Sequence, residues 1–154
     1  ALLCHTSSTQ ALGVNFCSGG CWDTSGVSYI SDFLAACVEC RVDAIAVHSF
    51  TCNVEFLNEQ LFAYQQFGLP IWLTEFSCAD DPGLADAAGQ LTYMQETLPY
   101  LEANPNIQRY SWFTGRVRPD YTPEVALLAG TGVLTPLGNF YSSFEFDNMC
   151  KNSG

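Results

Sequence analysis

Leu69-Pro70-Ile71-Trp72-Leu73-Thr74-Glu75-Phe76-Ser77 is a short apolar run with one carboxylate near its end. It shows no polar alternation, the pattern of a parallel strand covered on both faces. Sheets of parallel strands carry their chemistry at the C-terminal strand ends, so Glu75 is the first candidate functional residue. The chain offers no obvious second carboxylate to work with it.

Working upstream, apolar Phe56, Leu57, Leu61, Tyr64 and Phe67 recur at helical spacing, predicting a helix over 55–67 stopped by Gly68. Asp43-Ala-Ile-Ala-Val-His48 is a second strand. Val27, Ile30, Phe33, Leu34 and Cys37 mark a helix over 27–37 that Asp23 or Ser25 would cap. The Gly pair in Cys17-Ser-Gly-Gly-Cys21 marks a loop. Residues 11–15 form a short apolar strand ending in Asn15, and 1–10 an irregular, Ser/Thr-rich arm tied down by Cys4. Downstream, Asp80-Asp-Pro-Gly83 is a turn. A helix over 84–101 follows, with Pro99 expected to kink or end it. Residues 106–113 are a strand, 114–134 a long loop, and 137–146 a closing helix, with Cys150 pinning the tail. The order is β-α-β-α-β-α-β-α in one domain spanning 1–154. That order predicts an α/β fold, a parallel sheet with right-handed crossovers. Four such units are half of an eight-stranded barrel or a small open sheet, and order alone does not decide.

Charged residues are 14% of the 154 residues and apolar ones 48%, against roughly 25% charged in an average soluble domain. That composition fits either a dense secreted domain or one that buries part of its surface against something else. The net charge is −11, which repels nucleic acid and anionic membrane surfaces. No apolar stretch is long enough to span a membrane. Cys4, Cys17, Cys21, Cys37, Cys40, Cys52, Cys78 and Cys150 form an even set in a Lys-poor chain. They read as disulfides of an oxidising, extracellular compartment, in a pairing the sequence leaves open. The rival is zinc, since Cys17-x3-Cys21 and Cys37-x2-Cys40 approach a four-cysteine spacing. Four further cysteines would then be unexplained. No cofactor is expected, for there is no phosphate loop and no dinucleotide fingerprint. His5 and His48 make no catalytic metal set.

Four segments occur in order: Asp43–His48, Leu69–Phe76, Arg109-Tyr-Ser-Trp-Phe113, and Leu134-Thr-Pro-Leu-Gly138 with Tyr141. Together they resemble the C-terminal half of the catalytic core of glycoside hydrolase family 128 over about residues 11–145. These are secreted (β/α)8-barrel enzymes acting on β-1,3-glucans, related to the alkali-sensitive linkage proteins of fungal walls. The resemblance implies a TIM-type barrel of which this chain supplies about strands five to eight, with residues 11–15, 43–48, 70–75 and 107–113 as those strands. It implies that Glu75 is the nucleophile of a retaining glycosidase. The family's Asn-Glu-Pro segment, which carries the acid/base Glu, does not occur in these residues. A second chain or an N-terminal half is therefore expected to complete the barrel around a β-glucan polysaccharide. Alone, the chain is expected to be inactive.

Strict alternation from Glu75 would put Leu73 and Ile71 on the inner face with it, and Trp72, Thr74 and Phe76 toward the helices. The same count turns His48, Tyr110 and Trp112 inward. His48 could then bond sugar hydroxyls or orient Glu75, and Trp112 could stack on a sugar ring. Asn15, Tyr110 and Phe50 are further substrate-binding candidates. Phe50 stands where the family often has Tyr, so a hydroxyl is lost. The bland alternatives are an ion pair of Glu75 with Arg109, a structural His48, and Trp112 in the core. A second functional class is a non-catalytic extracellular glycan-binding or structural protein built on a degenerate glycosidase barrel.

Overall fold

The computed structural model describes residues 2–6, 26–118 and 124–145. Its sheet has four parallel strands in sequential order: β1 (Leu2–Thr6), β2 (Ala44–Ser49), β3 (Ile71–Phe76) and β4 (Ile107–Trp112). Between them run α1 (Val27–Ala36), α2 (Val54–Tyr64) with a 3-10 turn over Gln65–Phe67, and α3 (Ala87–Ala103). Helix α4 (Pro136–Ser143) closes the series. Right-handed crossovers between neighbouring parallel strands deliver α1, α2 and α3 to the same face. The core agrees. Ile45, Val47, Ile71, Leu73, Phe76 and Trp112 from the sheet cluster with Ile30 of α1, Leu57 and Leu61 of α2, Met94 and Leu98 of α3, and Leu137 of α4. One sheet face is thereby sealed, and no helix described here covers the other.

Local chemistry sets the boundaries. Asn53 caps α2 by accepting from the Phe56 N–H at 2.9 Å, and Asp86 caps α3 through Gly89 at 2.8 Å. Thr135 caps α4 through Gly138 at 3.0 Å, with Pro136 in the first turn, where its missing N–H costs nothing. Gly68, at φ 62°, ends the turn after α2. Gly138 must lack a side chain, because a Cβ there would lie 2.0 Å from the Leu127 carbonyl oxygen.

Several expectations are corrected. The strand beside β2 is Leu2–Thr6, not 11–15, and 1–10 is not simply an irregular arm; residues 11–15 lie outside the described set. The α1 cap position falls at Gly26. Pro99 neither ends nor delimits α3, which continues to Ala103. Buried Leu98 and Leu101, on either side of the proline, hold the helix against the sheet. Phe56 is exposed rather than part of the core stripe of α2. The zinc alternative loses two ligands, because Cys37 is bonded to Cys40, and Cys52 to Cys78. Cys17, Cys21 and Cys150 lie outside the described residues, and Cys4 is described only as backbone of β1.

Candidate active site

The site is produced by a slip in register. Along β2 and β3, Ala46 pairs with Trp72 and Val47 with Leu73, but the next pairs are His48 with Glu75 and Ser49 with Phe76. On the other side, Leu73 pairs with Tyr110 and Phe76 with Trp112. Between Leu73 and Phe76, β3 therefore carries one residue more than either neighbour. A bulge of this kind breaks the two-residue period. Leu73 and Phe76 both reach the covered face, and Glu75 comes out on the uncovered face beside His48. Thr74 at the slip donates its hydroxyl to the Val47 carbonyl oxygen at 3.4 Å.

There the His48 Nδ1 lies 3.2 Å from Glu75 Oε2. The His48 side chain is 13% exposed and that of Glu75 37%. Burial lowers the imidazole pKa below its ordinary value of 6.5, and the Glu75 carboxylate opposes that shift without cancelling it. Burial thus favours the neutral imidazole, whose Nδ1 faces the carboxylate. Oε2 is the Glu75 oxygen that faces the imidazole.

The loops beyond these strand ends are fastened together. Ala79 and Asp80 donate their N–H groups to the Phe50 carbonyl oxygen at 2.9 and 3.1 Å. Asp80 Oδ1 accepts from the Cys52 N–H at 2.7 Å, and the Cys52–Cys78 disulfide ties the same loops. Phe50, just past β2, meets Phe113, just past β4, edge to face at 5.5 Å between ring centroids. The two rings come from strands flanking β3, so they meet across its end. Phe50 thus lies near the strand ends that carry His48 and Glu75. Phe113 is an unforeseen neighbour; its place directly after an aromatic-rich strand was the available signal.

Tyr110 and Trp112 do not turn inward. Trp112 is 5% exposed, donates its indole N–H to the Val125 carbonyl oxygen at 2.9 Å, and packs against Phe76 and Tyr93. The Tyr110 hydroxyl bonds the Glu102 carboxylate on α3, and burial together with that carboxylate raises its pKa. Ile71 and Leu73 are likewise on the helix side. The cause is the bulge in β3 and another in β4, where Ile71 pairs with Ile107 but Trp72 with Arg109. Conversely, Trp72 lies on the uncovered face. Its indole N–H reaches Gln108 at 2.7 Å and the Arg109 guanidinium stands over its ring at 5.1 Å. Arg109 is thus engaged with Trp72, while Glu75 is engaged with His48. Asn15 lies outside the described residues. Among the described residues no cluster of three or more His, Cys, Asp or Glu is arranged to hold a metal, and no helix is long and apolar enough to cross a membrane.

Parallel strands with their helices on one face, and a carboxylate at the C-terminal end of one of them, make a partial α/β fold of the kind that TIM-barrel-type glycosidases contain. The chain belongs to the glycosyl hydrolase catalytic core family, whose model matches residues 5–141, and it is GH128-like. It is 33% identical over 122 residues to alkali-sensitive linkage protein 1 of Schizosaccharomyces pombe, covering 77% of this chain and 23% of that protein. It resembles a GH128 subgroup II endo-β-1,3-glucanase from Sorangium cellulosum, with TM-score 0.71, 38% identity, and coverage of 84% of this chain and 52% of that one. It also resembles a GH128 subgroup I endo-β-1,3-glucanase from Amycolatopsis mediterranei, solved with laminaritriose, at TM-score 0.58 and 27% identity, covering 74% and 49%. The chain thus spans about half the length of the glucanase structures it matches. The family these comparisons support is one of β-1,3-glucan glycosidases.

Proposed function

We propose that this chain is the C-terminal half of the (β/α)8 barrel of a secreted retaining glycoside hydrolase acting on β-1,3-glucan, with Glu75 as nucleophile. The observation that carries the reading is the Glu75 carboxylate, partly exposed at a strand end on the uncovered sheet face, with Oε2 3.2 Å from Nδ1 of His48. Sequential strand order, helices on one face only, and the half-length match to glucanases support the half barrel. The described disulfides support an extracellular setting.

The chemistry follows from the carboxylate pair that retention requires, about 5–5.5 Å apart. Glu75 Oε1 attacks the anomeric carbon as the bond to the leaving oxygen breaks. That oxygen takes a proton from the second carboxylic acid. Water, deprotonated by the same group, then displaces Glu75 and restores the original anomeric configuration. The second carboxyl comes from outside these residues, in the remaining length of the protein or in a second chain. His48 holds Oε2 and stabilises the attacking carboxylate in one rotamer.

An activated 2-deoxy-2-fluoro-laminaribioside tests this on the intact protein. The fluorine slows both steps, and the good leaving group preserves the first, so the glycosyl ester accumulates. Mass spectrometry of the digest is expected to find it on Glu75. Glu75→Gln is expected to abolish labelling and to lower laminarin hydrolysis by about 10⁴-fold or more, the scale of nucleophile removal in other hydrolases. A label on another carboxylate, or none on a protein that hydrolyses laminarin, would overturn the assignment. The 154-residue chain alone is expected to hydrolyse nothing.

A further inference from the structure

Gln90 is fully buried, in the first turn of α3. A side-chain amide that leaves water needs partners for both ends. Gln90 finds both on one residue, and Nε2 also donates to the Ala85 carbonyl oxygen at 3.5 Å. Its Oε1 accepts from the Cys78 N–H at 3.1 Å, and its Nε2 donates to the Cys78 carbonyl oxygen. The amide thereby copies a neighbouring strand for a single residue, three positions after Glu75. A matching bond holds the adjacent strand: the Ser49 hydroxyl, next to His48, donates to Oε1 of Gln60 on α2 at 2.6 Å. Each of the two strand ends that present His48 and Glu75 is thus tied to its own helix by a glutamine.

The need for such a tie comes from the bulge. The extra residue between Leu73 and Phe76 is what turns Glu75 to the uncovered face. Burial of Leu73 and Phe76 sets the register up to the bulge, but the residues beyond it have left the regular ladder. A one-residue slip would send Glu75 toward the helices. The Cys52–Cys78 disulfide and the bonds from Ala79 and Asp80 to Phe50 fasten the two strand ends to each other. They do not fix that pair of ends against the helix layer. Gln60 does so for β2 and Gln90 for β3.

We propose that Gln90 is a positioning residue: by holding the Cys78 peptide groups against α3, it locks the bulged end of β3 in the register that sets Glu75 against His48. The catalytic consequence rests on reading Glu75 as the nucleophile; the geometry does not.

The test is the titration of His48 by NMR in the intact, histidine-labelled protein, with its signal assigned through His48→Asn. Glu75 holds the His48 midpoint up against burial, so Glu75→Gln is expected to lower it. Gln90→Met keeps the volume and removes both hydrogen bonds to Cys78, with the longer one to Ala85. It is expected to lower the midpoint in the same direction, and adding Glu75→Gln is expected to lower it no further. An unchanged midpoint in Gln90→Met, with the full response to Glu75→Gln retained, would overturn the proposal and leave Gln90 a stabilising residue only. Should Gln90→Met fail to fold, Gln90→Asn gives the same readout, because its amide stops one methylene short of Cys78. The titration reports the Glu75–His48 geometry whether or not Glu75 attacks a sugar, so failure here and failure of the fluoro-sugar labelling are separate results.

Discussion

One face of the sheet is Ile45, Val47, Ile71, Leu73, Phe76 and Trp112 under the helices; the other carries His48, Trp72, Glu75 and Arg109. The same strands supply both, but not by simple alternation. Phe76 is completely buried, which is worth about 1.5–3 kcal/mol for a side chain of its size. A bulge gives up about one ladder hydrogen bond, on the order of 1 kcal/mol. Packing Phe76 therefore outweighs keeping the strand regular, and the residue displaced in the exchange is Glu75. The core of this protein aims its candidate nucleophile.

The largest effect that separates the two faces in stability should come from their tryptophans. Trp112→Ala empties a packed site and orphans the Val125 carbonyl oxygen, for an expected loss of about 3–5 kcal/mol. Trp72→Ala, on the uncovered face, loses an indole bond to exposed Gln108 and a surface stack with Arg109, for an expected loss of about 1 kcal/mol. Urea unfolding of the isolated chain measures both. Equal losses would mean that the second face is also packed, and the contrast drawn here would collapse.

The disulfides sharpen the comparison next. Cys52–Cys78 closes a loop with a sequence separation of 26 between the strand ends at the site, and Cys37–Cys40 one with a separation of 3 at the end of α1. Loop-closure entropy assigns them about 3.5 and about 2 kcal/mol. Paired Cys→Ala variants are expected to fall in that order in thermal unfolding. Only the Cys52/Cys78 variant should also disturb the His48 titration, since only that bridge ties the loops beyond His48 and Glu75. A shifted His48 midpoint in the Cys37/Cys40 variant would show that the site is coupled to α1 as well.

What could be read from the sequence divides along the same line. Helices were legible because their signals are local: the spacing of Leu57, Leu61 and Tyr64, the Gly68 stop, and the Asp43–His48 and Leu69–Glu75 runs that became β2 and β3. Glu75 and His48 were placed together correctly because both close apolar runs. Side-chain facing was not legible at Ile71, Leu73, Tyr110 and Trp112. Each lies next to a bulge, and a bulge is decided by what the neighbouring strand and the helix layer need to bury, which no single segment encodes. The strand at Leu2–Thr6 was missed for a related reason. Five residues beside a Ser/Thr-rich stretch carry little pattern of their own, and their strand character comes from pairing with Ala44–His48.

The smallest expected effect lies within the uncovered face itself. Because burial depresses the His48 pKa, folding favours the neutral ring. The stability this contributes is fully present above the unfolded value near 6.5 and is lost as pH falls through the lower folded midpoint. His48→Asn removes that linkage, so its unfolding free energy should fall less steeply with acid than that of the wild type. His5 and the carboxylates act in both proteins and cancel in the difference. Denaturant unfolding at a series of pH values below neutrality measures it. A difference of opposite sign, with the wild type gaining on the variant as pH falls, would mean that Glu75 outweighs burial and that the pair is a charged one. Glu75 Oε2 would then be held by an imidazolium, a stronger bond that withdraws charge from the carboxylate and blunts the nucleophile that His48 is here taken to steady.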